Sequence, residues 1–284
     1  VIPALELFRS AEVKASMRPF IRRALYVQVD DEIDTVIKPR PTGYPYLIWV
    51  VRGLLTQELG GNHRYGAGNL FVPGQIKDHE IGIRYTGKLI MLMLEFTAFG
   101  CYELFGVTGR ETLNRSPTLA SLCPTGAKFE RKVQAQSVSI DVADITARFE
   151  VLFTNLEQVP SVRLSVPSYL VSALHEIEAQ DGAIRVAELC DQIRISRRQF
   201  TRRFTEIVGV PPKYFCRVIQ MNKVMEALMS DNVGLISDIA NNAGYFDEAH
   251  LIHTVQKFFG LPATAVAESE HPAVLKVHAS SRQV

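Results

Sequence analysis

The sequence predicts an α+β chain in two parts: an amino-terminal β-barrel with accompanying helices, and an all-α carboxy-terminal part made of two helix-turn-helix units. Three observations carry this. From Met17 to about Leu94, short β-branched and apolar runs alternate with glycine- and proline-rich turns. From Val166 onward the apolar spacing is helical almost throughout. Between Ile195 and Phe204 the run ISRRQFTRRF sets four arginines and two phenylalanines together with no acid among them.

The chain has 284 residues, which favours two domains, and 47% apolar with 21% charged residues is the composition of an ordinary globular protein. The formal net charge is +1, so any footprint for nucleic acid must be local, not a broadly basic surface. Cys101, Cys123, Cys190 and Cys216 stand singly without CxxC spacing, as expected of reduced thiols in a cytoplasmic protein, buried as small apolar groups. The longest wholly apolar run, Leu89 to Leu94, is far short of a membrane span, and no charged-then-apolar signal peptide opens the chain. Its first residue, Val1, suggests a few trimmed or renumbered positions.

In chain order, strands are expected at Ala24 to Val29, Tyr46 to Val51, Leu54 to Leu59, Asn69 to Val72 and Leu89 to Phe96. Turn clusters separate them: PRPTGYP from Pro39, LGGNHRYGAGN from Leu59 and VPGQ from Val72. Many short strands with such turns make a closed antiparallel barrel or sandwich, a cupin-like container able to hold a small molecule. Short helices are expected at Phe96 to Leu104 and Thr118 to Leu122. In DVADITARFEVLFTNL, Ile145, Phe149, Leu152 and Leu156 form a helical stripe started by Asp141 or Asp144. That stripe suits either the core or a dimer seam. Gln158 to Pro167 carries two prolines and two serines and no strong pattern, so a boundary is placed there, between residues 1–160 and residues 161–284.

No catalytic constellation emerges. His63 and His79 lie in turns without the histidine–glutamate spacing of a metal-bearing barrel, and no nucleophile has a convincing base. The expectation is a protein that is not an enzyme and has no metal or cofactor.

In the second half, Pro167 precedes a helix lined by Leu170, Leu174 and Ile177 and ended by the Asp181–Gly182 turn. Val186 to Gln192, a turn at Ile193 to Ile195, and Ser196 to Val208 then read as helix, turn, helix, stopped by Gly209. With Ser196 as N-cap, Phe200 and Phe204 are buried while Arg197, Arg198, Thr201 and Arg202 face outward. Such a face suits the major groove, where arginine donates twice to guanine O6 and N7. A long helix from Pro211 and Pro212 to Leu228 follows. The plan then repeats as Ile236 to Asn241, a turn at Ala243 to Tyr245, and Asp247 to Phe259, ended by Gly260 and Pro262.

Over Ile184 to Ala267 the chain resembles the AraC/XylS transcriptional regulators. The stretches are VAELCDQIRISRRQFTRRFTEIVGVPPKYF and ISDIANNAGYFDEAHLIHTVQKFFGLPATAV, in which Ile236, Ile239, Ala240, Gly244, Tyr245, His250, Phe258, Phe259, Gly260 and Pro262 match the family signature. The resemblance implies two helix-turn-helix units joined by a long helix, each giving a recognition helix to successive major grooves. It assigns base reading to Arg198, Thr201 and Arg202, with Arg197 and Gln199 nearby, and in the second unit to Glu248, Ala249, Ile252 and His253. The second helix departs from the family pattern, since Asp247 and Glu248 repel phosphate and Ile252 offers only apolar contact. His250 and His253 have a spacing that could hold a metal but suit packing and DNA contact better. Arg194 stands where the family's first turn often has glycine, which is tolerable if its φ stays negative.

The first half resembles the family's sensor modules in VPGQ and in FGCYELFGV from Phe99 to Val107. Arg18, Arg22 and Arg23, followed by Lys38, Arg40 and Arg52, point to an anionic effector. The RxxxR spacing of Arg18 and Arg22 resembles the motif by which PilZ-type domains bind cyclic di-GMP. Its companion is matched in part by Asn69 to Gly74, with Phe71 in the serine place and Tyr26, Tyr44 and Tyr46 as stacking partners. The same arginines also read as solvated groups flanking a strand. The resemblance thus implies a homodimeric, effector-responsive activator acting on double-stranded DNA and RNA polymerase. An uncharged or apolar metabolite, a protein partner, or a DNA-binding adaptor without ligand are the alternatives.

Overall fold

The computed structural model describes residues 8–59, 61–78, 80–159, 166–228 and 236–259. His79, Gly260 and Pro262 lie outside them. The chain is α+β, as its sequence predicts. It divides into two compact units: 9–167 with 202–211 in one, and 168–201 with the chain from 212 onward in the other.

The first unit holds β1 (Phe8–Ala11), β2 (Ile21–Ile37), β3 (Tyr46–Leu59), β4 (Arg64–Tyr65), β5 (Leu70–Phe71) and β6 (Gly82–Phe96). The sheet path is β1-β2-β6-β3-β4, with β5 on β3, and the long strands pair antiparallel. The two ends of that path do not pair with each other among the described residues, so strand pairing does not close the expected barrel. β6 lies at the centre, and from Leu89 to Phe96 every residue is buried, which is why this stretch does not alternate and is apolar throughout except at Glu95.

The expected strands Tyr46 to Val51 and Leu54 to Leu59 are one strand, β3. The register against β6 shifts on both sides of Arg52. Gly53 absorbs the irregularity at φ 99°, and a Cβ there would lie 2.9 Å from the Lys88 carbonyl oxygen.

Helices α1 (Gly100–Phe105), α2 (Gly109–Thr112), α3 (Leu119–Leu122), α4 (Pro124–Ser137) and α5 (Ile145–Glu157) complete this unit. Asp144 caps α5, its carboxylate accepting from the Ala147 N–H at 2.9 Å. Phe149, Leu152 and Leu156 join Trp49 and Leu92 in one core cluster, with Ile145 packed against it. The outer face carries Thr146, Glu150, Thr154 and Glu157, so the apolar stripe of α5 serves the core. Helix α4 has no counterpart in the sequence reading.

The second unit contains α6 (Ser168–Ala179), α7 (Val186–Gln192), the start of α8 (Arg197–Val208), α9 (Pro212–Leu228), α10 (Ile236–Asn242) and α11 (Glu248–Phe259). Gly182 ends the α6 turn at φ 76°, where any side chain would collide with the Cys216 carbonyl on α9. Met221, Val224, Met225 and Leu228 of α9 form a core with Ile239, Ala240, Leu251 and Val255. Cys101, Cys190 and Cys216 are buried and Cys123 is half-buried, all as free thiols.

Candidate nucleic-acid interface

The two helix-turn-helix segments are built on one backbone plan. After α7, the Ile195 N–H donates to the Cys190 carbonyl at 3.1 Å and the Ile193 N–H to Leu189 at 3.1 Å. After α10, Tyr245 donates to Ala240 at 2.9 Å and Ala243 to Ile239 at 3.0 Å. Both are helix ends closed by a left-handed residue. In the second that residue is Gly244, at φ 74°. In the first it is Arg194, at φ 54°, which corrects the expectation of a negative φ. The turn geometry overrides the side chain's preference, at roughly 1–2 kcal/mol for a residue with a Cβ.

Ser196 accepts from the Gln199 N–H at 3.3 Å and so caps α8. Phe200 and Phe204 are fully buried. Arg197, Arg198, Gln199 and Arg202 are exposed, and Thr201 is half-buried. The fourth arginine is used differently: Arg203 pairs with Glu206 at 2.9 Å, one turn further on. Among the described residues no salt bridge engages Arg197, Arg198 or Arg202, so their donors point to solvent on one face.

Asp247 caps α11, accepting from the His250 N–H at 2.7 Å. Counted from the caps, the buried anchors coincide: Phe200 and Phe204 in α8 correspond to Leu251 and Val255 in α11, all fully buried. The expected base readers correspond too, Arg197 to Glu248, Arg198 to Ala249, Thr201 to Ile252 and Arg202 to His253. Glu248, Ala249 and His253 are exposed, whereas Ile252 is half-buried against the second core. His250 sets its ring edge-on to Tyr245 at 5.3 Å between centroids. Burial pushes the Tyr245 phenol up to about 12.

In the first unit the expected effector residues occupy separate places. Glu95, buried within β6, accepts from Arg22 Nη1 at 2.8 Å, from Arg23 Nε at 2.7 Å and from the Tyr46 hydroxyl at 2.6 Å. Burial alone would lower the Arg23 guanidinium, but the charge and hydrogen bonds of Glu95 outweigh it and hold Arg23 above the usual arginine range. Arg22 also lies over the Tyr44 ring at 3.6 Å. Arg18 reaches Glu12 at 3.8 Å, Lys38 pairs with Glu80 at 3.2 Å, and half-buried Arg40 is held below the usual arginine range by burial. Arg52 pairs with Asp30 at 2.8 Å and stands opposite Ile90 in the sheet, five residues of β6 from Glu95, roughly 17 Å along the strand. Asn69 accepts from the Gly66 N–H at 2.8 Å, and Gly74 abuts the Thr112 carbonyl. Tyr26 meets Phe149 edge-on at 6.5 Å. Arg22 and Arg23 thus converge on a carboxylate of the chain itself. The glutamate within an apolar strand was the sequence signal for this knot, since a buried charge needs partners.

Residues 189–269 match the family described as "Helix-turn-helix domain". No curated protein matches the chain by sequence. Among solved structures the chain is similar to ToxT from Vibrio cholerae, at 10% identity over 92% of this chain and 98% of that chain, with a TM-score of 0.45. It is similar to the xylose-binding transcription activator xylR at 20% identity over 43% of this chain and 39% of that one, TM-score 0.33. The AraC-like transcriptional activator CuxR is similar at 15% identity over 76% of this chain and 84% of that one, TM-score 0.29. The matched segment, its paired turns and its capped helices define a DNA-binding domain of two helix-turn-helix units.

Proposed function

We propose that the chain is an effector-responsive, sequence-specific transcription activator that works as a cytoplasmic homodimer and engages RNA polymerase at its promoters. Residues 161–284 bind double-stranded DNA, and residues 1–160 bind a small effector and dimerise. The observation that carries the DNA reading is the exposed face of α8, where Arg197, Arg198 and Arg202 keep their donors outside any salt bridge among the described residues. Arg198 and Arg202 read guanines, Gln199 and Thr201 flank them, and Glu248, Ala249, Ile252 and His253 form the second face.

Because Glu95 already engages both Arg22 and Arg23 in hydrogen-bonded ion pairs, the geometry supports an uncharged or apolar effector over a cyclic dinucleotide. Such an effector acts by binding one arrangement of the dimer better than the other, and its differential affinity sets the shift. The DNA reading is tested on duplexes enriched by the full chain from a random library. Arg198→Ala or Arg202→Ala weakens binding by about 1–3 kcal/mol and relaxes preference at one base pair. Unchanged affinity and preference in both variants would overturn the assigned face. Calorimetry with cyclic di-GMP gives no heat on the effector reading, and a saturable signal abolished by Arg22→Ala would overturn it.

A further inference from the structure

Of the two helix-turn-helix units, the second carries one more residue than the first between turn and helix cap. In the first, Ser196 follows the left-handed Arg194 by two positions; in the second, Asp247 follows the left-handed Gly244 by three. Tyr245 points inward and is buried. The added residue is Phe246, whose side chain is 90% exposed. A single exposed aromatic is ordinary on most surfaces, and it is its place that gives this one meaning. It immediately precedes the cap of a recognition helix, and the amino-terminal end of such a helix is what approaches base edges.

The chemistry around it selects the occupant. The first turn of α11 presents Asp247, Glu248 and Ala249, all exposed and without a cation among them. A carboxylate there accepts from cytosine N4, and an apolar group contacts the thymine C5-methyl. Ile252, the other apolar candidate on this face, is partly taken up by the second core. We infer that Phe246 is a specificity-determining residue of the second unit, packing on the C5-methyl of a thymine at the edge of its half-site. The two units then differ in kind, arginines reading guanine in the first and an aromatic–acid pair reading pyrimidines in the second. This rests on the DNA reading above.

The test uses the full chain and the duplexes it enriches from a random library. Each thymidine is replaced in turn by deoxyuridine, which removes only the methyl. The wild type loses roughly fivefold in affinity at one thymine outside the arginine-read half-site, and Phe246→Ala loses the same amount on the unmodified duplex. In the double perturbation the losses do not add. Additive losses, or a Phe246→Ala variant that binds like the wild type while Arg198→Ala weakens, overturn the Phe246 assignment and leave DNA binding standing. If the wild type enriches no duplex, the DNA reading itself falls.

Discussion

The α7–α8 and α10–α11 segments share a turn and differ in what it presents. Both close their first helix with the same pair of backbone hydrogen bonds, both cap the second with a short polar side chain, and both bury its fourth and eighth residues after the cap. Yet one outward face is arginine-rich, and the other carries two acids, an alanine and an exposed phenylalanine. Buried spacing and turn geometry are set by packing, which tolerates few alternatives. Exposed positions are free to follow the ligand, so a repeated backbone serves two different chemistries.

The anchors give the largest way to break the parallel. Phe200→Ala or Phe204→Ala removes a fully buried ring and costs about 3–5 kcal/mol, whereas Val255→Ala at the equivalent of Phe204 loses only two methyls and costs about 1–2 kcal/mol. Urea unfolding followed by far-ultraviolet circular dichroism should show a larger fall in midpoint for the phenylalanine variants. Equal falls would mean that the two helices are not anchored in corresponding ways.

The second turn is the next point of attack. Gly244 sits at φ 74°, and a Cβ there would lie 3.0 Å from the Ala183 Cβ. Gly244→Ala therefore costs about 1–2 kcal/mol from backbone conformation, with the close contact adding to it. The same urea titration checks it, and a variant as stable as the wild type would show that the turn can relax away from the left-handed region.

Much of this half of the chain was legible because its punctuation is chemical. Ser196, Gly209, Pro212, Gly244 and Asp247 mark ends and starts for reasons that hold in any context, and all five stand where helices begin or stop. Arg194 misled because its neighbours dictate a left-handed turn that its own preference opposes. In the first unit, α4 escaped notice because its large apolar residues are only Phe129 and Val133, with buried Gly126 completing a stripe too narrow to show. Its start is marked by the Cys123 thiol, which accepts from the Gly126 N–H at 3.2 Å, an unusual cap. The arginines at and just before the start of β2 suggested an anion clasp, since sequence spacing shows which charges are present and not which buried carboxylate, here Glu95, will claim Arg22 and Arg23.

The caps offer a balanced comparison of smaller size. Ser196→Ala and Asp247→Ala each remove one acceptor from a helix N–H, at about 1 kcal/mol apiece. Asp247 also places a negative charge at the amino end of α11, a favourable position that is screened by salt. Raising the salt concentration should narrow the gap between the wild type and Asp247→Ser and leave Ser196→Ala unchanged. A gap insensitive to salt would assign the role of Asp247 to its hydrogen bond alone.

The smallest effect has the opposite sign. Arg194→Gly makes the first turn like the second: it removes a Cβ from a residue at φ 54°, relieving about 1–2 kcal/mol, and adds backbone freedom to the unfolded chain that offsets part of this. The net gain expected is about 0.5–1 kcal/mol, read as a rise in the urea midpoint. Arg194 is exposed but precedes the cap of α8 by two residues, so the substitution also asks whether it touches DNA. If the variant gains stability and keeps both its affinity for the enriched duplexes and its salt dependence, Arg194 is a conformational compromise with no part in binding. If stability rises while the salt dependence falls by about one phosphate contact, the strain is the cost of placing a cation beside the DNA backbone, and the two turns differ by function as well as by geometry.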